Sequence, residues 1–166
     1  MTAQAATAIL SDEKFRIDPQ VRDGKTVVYL SGVIDEDAKF EELRKLQGSL
    51  VFNFRDLHSL NSCGVRSWVN LLKELANTEI YYEECTPLVV RQMNMVPSFV
   101  SHAVVLSVYV PYVCENCEEE KLILVEHDAF QSKPVKIKEV IPCEFCKQGE
   151  MELDGHPEQY FAFAKS

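Results

Sequence analysis

Residues 50–76 read LVFNFRDLHSLNSCGVRSWVNLLKELA, and this stretch decides the fold. It opens on LVFNF, a compact apolar and aromatic run that suits a buried strand. It closes on Val65, Trp68, Val69, Leu72, Leu75 and Ala76, spaced three and four apart as one face of an amphipathic helix requires. Between them, 55–61 reads as a loop, and Asn61-Ser62-Cys63-Gly64 as a turn in which Asn61 or Ser62 caps the helix. A strand passing through a short turn into a helix is the repeating unit of α/β folds.

The same pattern extends both ways. Residues 15–17 suit a short strand, Gly24 a turn, and 26–34, TVVYLSGVI, a buried strand. Asp35 is placed to cap a following helix, with Glu36 and Asp37 in its first turn and Gly48 at its end. Phe40, Leu43 and Leu46 form the apolar stripe of that helix. Downstream, 80–82 predicts a strand, Thr86-Pro87 starts a helix running to Asn94, and 104–113 predicts another strand. The order β-β-α-β-α-β-α-β predicts a mixed sheet covered by helices over residues 15–110, after a fraying N-terminus at 1–14. Residues 111–166 predict a small β-rich module, with strands at 121–126, 135–141 and 160–163. No flexible linker is visible near Pro111, so this tail should dock rigidly on the sheet.

Chemistry concentrates in the cysteines. Cys114-Glu-Asn-Cys117 and Cys143-Glu-Phe-Cys146 are two CxxC pairs separated by 25 residues. A CxxC turn aims both sulfurs at one ion about 2.3 Å away, and two turns complete a tetrahedron. Four thiolates leave no position for water, which points to a structural zinc and away from a catalytic one. Iron held as in rubredoxin uses the same four ligands, and redox dithiols are the other chemistry such pairs support. The pattern resembles a zinc ribbon, with Glu118 and Lys147 where ribbons commonly place glycine directly after each pair.

The 166 residues carry a net charge of −9. Residues 1–110 hold 11 basic against 14 acidic side chains, and 111–166 hold 6 against 12. An acidic surface repels a phosphate backbone, which argues against nucleic acid and, if the surface has a partner, favours a basic protein. The first 20 residues show no secretory pattern, and the most apolar window, 99–113, is too short and too interrupted to span a bilayer. A cytoplasmic location with reduced thiols is the expectation, which favours metal or reactive thiols over disulfides. No nucleotide-binding, hydrolase or metalloprotease motif occurs, and the four histidines fit no ligand spacing, so a non-catalytic protein is expected.

Three segments, LSGVID (30–35), LVFNFRDLHSLNSCGV (50–65) and CTPLVVRQMNMVPSF (85–99), resemble successive landmarks of the STAS family. That family includes bacterial anti-sigma-factor antagonists and the cytoplasmic tails of anion transporters. The resemblance implies a STAS-like mixed sheet and a regulatory role exercised by binding a protein. It also implies phosphorylation of the turn serine, here Ser62, by a partner anti-sigma factor with serine-kinase activity. The implied contact surface is the Asn61, Ser62, Cys63 and Gly64 turn with the start of the helix after it, together with the Asp35 loop. Asp56, beside the Ser62 turn, is a further candidate read from the residues alone, a turn-capping aspartate being the commoner role. The chain departs from the family in having Asn61 for the usual acidic residue, Cys63 for a second serine or small residue, and a cysteine module in place of the last helix. A structural or adaptor protein that makes its main contact through the zinc module, and a thiol redox sensor, are the alternatives.

Overall fold

The computed structural model describes residues 9–10 and 14–164. The stretch expected to fray, 1–14, lies mostly outside these. Within it, β1 (Ile9–Leu10) pairs antiparallel with β2 (Phe15–Arg22).

The apolar runs form a six-stranded sheet in simple sequential order. β2 turns at Asp23-Gly24 into β3 (Lys25–Ile34), its antiparallel neighbour. From there the sheet is parallel: β3, β4 (Leu50–Leu60), β5 (Ile80–Glu83) and β6 (Val104–Val105). Each parallel step needs a crossover, which is why helices alternate with these strands. The crossovers contain α1 (Glu41–Arg44), α2 (Ser62–Glu74) and α3 (Pro87–Met95), the last followed by a 3₁₀ turn at Pro97–Phe99.

Register sorts the side chains. The row Val28, Phe52, Tyr82, Val105 faces the helices, and the row Val27, Val51, Tyr81, Val104 faces away. Trp68 of α2 lies on the first row, edge-on to Phe52 and Phe40, with ring centroids 4.9 and 5.6 Å apart. Its indole N–H donates to the Tyr82 hydroxyl at 2.9 Å, which donates to the Phe99 carbonyl at 2.6 Å. Every polar atom of this buried aromatic cluster is therefore bonded, as burial demands.

A second, four-stranded antiparallel sheet has the order β8 (Glu120–Glu126), β7 (Ser107–Cys114), β10 (Glu150–Leu153), β9 (Val140–Pro142). It is joined to the first through β7, which runs parallel to Cys85: Cys85 N–H donates to Ser107 O at 3.1 Å and Tyr109 N–H to Cys85 O at 2.8 Å. The buried side chains of both sheets form one continuous core, from Phe15 and Trp68 to Met151 and Phe161.

The helix expected from Asp35 is a single turn, Glu41–Arg44, capped at Phe40 without a side-chain bond. Asp35 instead folds on itself, its carboxylate accepting from the Asp37 N–H at 2.9 Å. Residues 55–60, expected as loop, continue β4 across two register shifts against β3. The strand expected over 104–113 breaks at Leu106 into β6 and β7, which belong to different sheets, so the division expected near Pro111 falls inside β7. Thr86 precedes α3 as expected, but its buried hydroxyl caps nothing.

In the tail, 121–126 is strand, whereas of 135–141 only its last two residues enter β9. A helix α4 (His127–Gln131) follows β8. Residues 160–163 are not a strand: Pro157 opens a short helix α5 (Pro157–Tyr160), and a 3₁₀ turn follows at Ala162–Ala164. This segment docks on α3. Asn94 donates to Tyr160 O at 3.0 Å and accepts from Phe163 N–H at 2.8 Å, while Tyr160 donates its hydroxyl to Tyr109 O, filling the gap between Cys85 and β10 along β7.

Candidate metal centre and the Ser62 turn

Each cysteine pair sits in the turn of a hairpin. The β7–β8 turn carries Cys114 and Cys117; the β9–β10 turn carries Cys143 and Cys146. Pairing of β10 with β7, Met151 opposite Cys114, brings the two turns together. All four sulfurs then lie within 4.8 Å of one another. The separations that cross between turns are 3.8 Å for Cys114–Cys146 and 3.7 Å for Cys117–Cys143. Four sulfurs each about 2.3 Å from one ion stand about 3.8 Å apart at the corners of a tetrahedron. These cysteines could therefore hold a metal ion with little rearrangement, and none of them forms a disulfide.

The turns are built for close approach. Glu118 and Lys147, the residues after each pair, adopt φ of 63° and 59°, the left-handed conformation that glycine adopts at no cost. Each turn thus keeps a glycine-like backbone without glycine, at a cost of about 1 kcal/mol or more per residue. Glycine is needed elsewhere: a Cβ at Gly149 would stand 2.8 Å from Cys114 Sγ and 2.8 Å from the Asn116 side chain. Sequence reading looked for glycine one place after each pair and missed this one, three places after Cys146. It also missed Asn116, whose amide donates to Cys146 Sγ at 3.4 Å, and the Lys121–Glu144 ion pair at 2.9 Å that ties one turn to the other.

In the metal-free thiols these contacts have opposite effects. The Asn116 amide, with the Gln148 and Gly149 backbone N–H groups, holds the Cys146 thiol down at about 6. The Glu119 N–H likewise favours the Cys117 thiolate, but burial and the three neighbouring cysteines outweigh it and push that thiol up to about 12. N–H groups aimed at sulfur favour the thiolate form that a metal requires.

The Ser62 turn is at the C-terminal ends of the parallel strands β3 and β4, where Ile34 and Leu60 pair. Asn61 caps α2, accepting from the Gly64 N–H at 2.8 Å. Its amide donates to Glu36 at 2.9 Å, and its backbone N–H to Ile34 O at 3.3 Å, so the turn and the Asp35 loop form one surface. Gly64 permits this, since a Cβ there would lie 2.2 Å from Ile34 O. Ser62 and Cys63 are exposed in the first turn of α2. Asp56 is exposed on β4 opposite Ser31, four residues and about 13 Å of strand before Leu60. Cys85 is buried in the core, and burial raises its thiol well above the usual range.

Among the described residues no helix is long and apolar enough to cross a membrane. No family model matches the chain, and no curated protein matches its sequence.

Proposed function

We propose that this chain is a non-catalytic regulatory protein of STAS-like architecture that works by binding another protein, with one structural zinc in its second sheet. The observation that carries this reading is the cysteine geometry: four sulfurs within 4.8 Å of one another, with cross-turn separations of 3.8 and 3.7 Å, would fill every position on a tetrahedral ion and leave none for substrate or water. Zinc is preferred over iron because it takes this site without redox chemistry. With the only clustered ligand set among the described residues closed in this way, the surface is left to do the work.

The regulatory surface is the Ser62 turn with the Asp35 loop. Ser62 is the first residue of α2, exposed, with Arg66 exposed one turn along. A phosphate on Ser62 adds about −1.5 to −2 charges where the helix dipole and free N–H groups favour an anion, so the fold survives the modification. The neighbouring Glu36 makes the patch more acidic still, and a partner that binds it through basic groups would be sensitive to the change. The adaptor reading has one feature in its favour: Phe145, between the two cysteines of the second turn, is 50% exposed beside the exposed acidic Glu144.

The test is partner capture from the native cell with the zinc-loaded full chain and its Ser62→Glu and Cys114→Ser variants. A defined partner held by the wild type and released by Ser62→Glu supports the regulatory reading. Partners indifferent to Ser62→Glu but lost with Phe145→Ala, a change that leaves the zinc ligands intact, transfer the function to the cysteine module.

A further inference from the structure

The second sheet ends on β8, which among the described residues pairs only with β7. Cys114 N–H donates to Glu119 O at 3.0 Å at one end of that ladder, and His127 N–H to Leu106 O at 2.8 Å at the other. Bonded pairs alternate in an antiparallel ladder, so the odd-numbered residues 121, 123 and 125 of β8 are those bonded to β7. Pro111, which has no N–H to give, falls opposite Leu122 at an unbonded position, as this alternation requires. It follows that Glu120, Leu122, Leu124 and Glu126 turn their N–H and C=O groups toward the free edge.

The side chains of these four residues form the outward row. Leu122 is 43% and Leu124 40% exposed, backed by Pro111 and Tyr109 of β7, with a glutamate at each end. The edge has no proline and no register shift, two devices by which sheets protect such edges. An unpaired edge with exposed apolar side chains is the platform used in strand addition, where main-chain bonds give affinity and alternate side chains give selectivity.

We propose that the free edge of β8 takes up an extended segment of a partner protein, apolar at its centre and basic at both ends, as a fifth strand of the second sheet. Charge chooses this occupant over a second copy of the chain. Full-length antiparallel pairing of two β8 strands centres on Ile123 and sets Glu120 against Glu126 twice, and like charges directly opposed destabilise a ladder. Lysine or arginine at those places reverses the sign, and Glu84 and Asp128 near the Glu126 end reinforce it, whereas Glu83 there is already paired with Arg22 at 2.7 Å. This inference is independent of the Ser62 reading.

The probe is a capped heptapeptide with lysine at its first and last positions, valine at the third and fifth and threonine at the rest, titrated into the zinc-loaded full chain. Amide exchange followed by NMR should show saturable binding below millimolar peptide, with new protection at the Leu122 and Leu124 amides and no change at Ile123 and Val125. Methylating the two valine nitrogens removes bonds to the edge and should weaken binding about tenfold or more, whereas methylating the threonine nitrogens at the second and sixth positions should not. Leu124→Pro, which spares the bonds to β7, should abolish binding with zinc content unchanged. Absence of saturable binding, equal loss from both methylation patterns, or a wild-type dimer that Leu124→Pro dissociates would overturn the proposal.

Discussion

The two sheets share a core but have very different means of closing it. The first surrounds Trp68 with Phe40, Phe52, Phe54, Tyr82 and Phe99, all buried, and satisfies the two polar atoms in that cluster internally. Aromatic groups of this size bury about 150–250 Å² each and dominate the energetics of a core. The second contributes Val108, Val110, Tyr112, Val125, Met151 and Leu153, with one aromatic ring among them, and its two cysteine turns are tied across by one exposed ion pair and the Asn116 bond to Cys146 Sγ. An exposed pair of that kind is worth about 0–1 kcal/mol. With the proposed zinc bound, what chiefly holds the far end of the second sheet is the meeting of four sulfurs. The near end is held differently, because β7 is fastened to Cys85 and Asn94 fastens the C-terminal segment to α3. Dependence on metal should rise along the second sheet from Ser107 toward the cysteine turns.

The strongest way to break this contrast is to remove the proposed metal. Zinc contributes about 10–16 kcal/mol to the folding of isolated zinc peptides, as much as the whole stability of an ordinary domain. Chelation or Cys114→Ser should therefore expose the amides of β9, β10 and the last residues of β7 to hydrogen exchange. The amides of β4 and α2 should stay protected. A uniform loss across both sheets would show that the aromatic cluster does not sustain the first sheet alone. Retention of β10 protection without metal would show that the second sheet needs no ion.

One glycine in each region sharpens the same contrast. Gly64→Ala drives a methyl against the Ile34 carbonyl, and overpacking of this kind costs about 1–3 kcal/mol. Its effect should appear as a lowered denaturation midpoint with zinc affinity unchanged. Gly149→Ala drives a methyl against Cys114 Sγ and the Asn116 side chain instead. Disturbing the groups that support a metal's ligands lowers affinity about 10–100-fold, so competition with a chromophoric chelator should detect this variant while the first sheet keeps its stability. If both variants lowered zinc affinity equally, the two regions would be one cooperative unit.

How far the sequence reveals all this follows from the kind of signal each region carries. The strand-helix alternation of 15–105 is legible because crossovers between parallel strands enforce it, and CxxC spacing is legible because ligand chemistry is discrete. Residues 55–60 hide their strand: the bulged pairing with β3 buries Leu57 and Leu60, three apart, where an ordinary strand alternates by two. Residues 135–138, VKIK, alternate by two and yet are irregular, because Tyr112 donates its hydroxyl to the Lys138 carbonyl and, among the described residues, no strand lies beside the segment until β10 pairs with β9. The apolar run 160–163 is helical and 3₁₀ because Pro157 starts a helix that Asn94 then clamps, a tertiary contact invisible in local pattern.

The smallest expected effect is at Asn61, in the better-sealed region. Asn61→Ala removes the cap bond to Gly64, a loss of about 1 kcal/mol that does not depend on pH. It also removes the amide bond to Glu36, the first cause holding that carboxyl below its ordinary value. A carboxyl whose folded value is lowered contributes stability that is complete above its unfolded value and is lost as pH falls through the folded one. The stability difference between wild type and Asn61→Ala should thus be greatest near neutral pH and shrink as the solution is acidified through the Glu36 titration, leaving the cap part alone. Urea denaturation of both proteins across that range measures it. Metal release in acid affects the two chains alike and cancels in the difference. A difference that stays flat with pH would mean that Glu36 gains nothing from Asn61, and that the turn and the Asp35 loop are held together by the Ile34 contacts only.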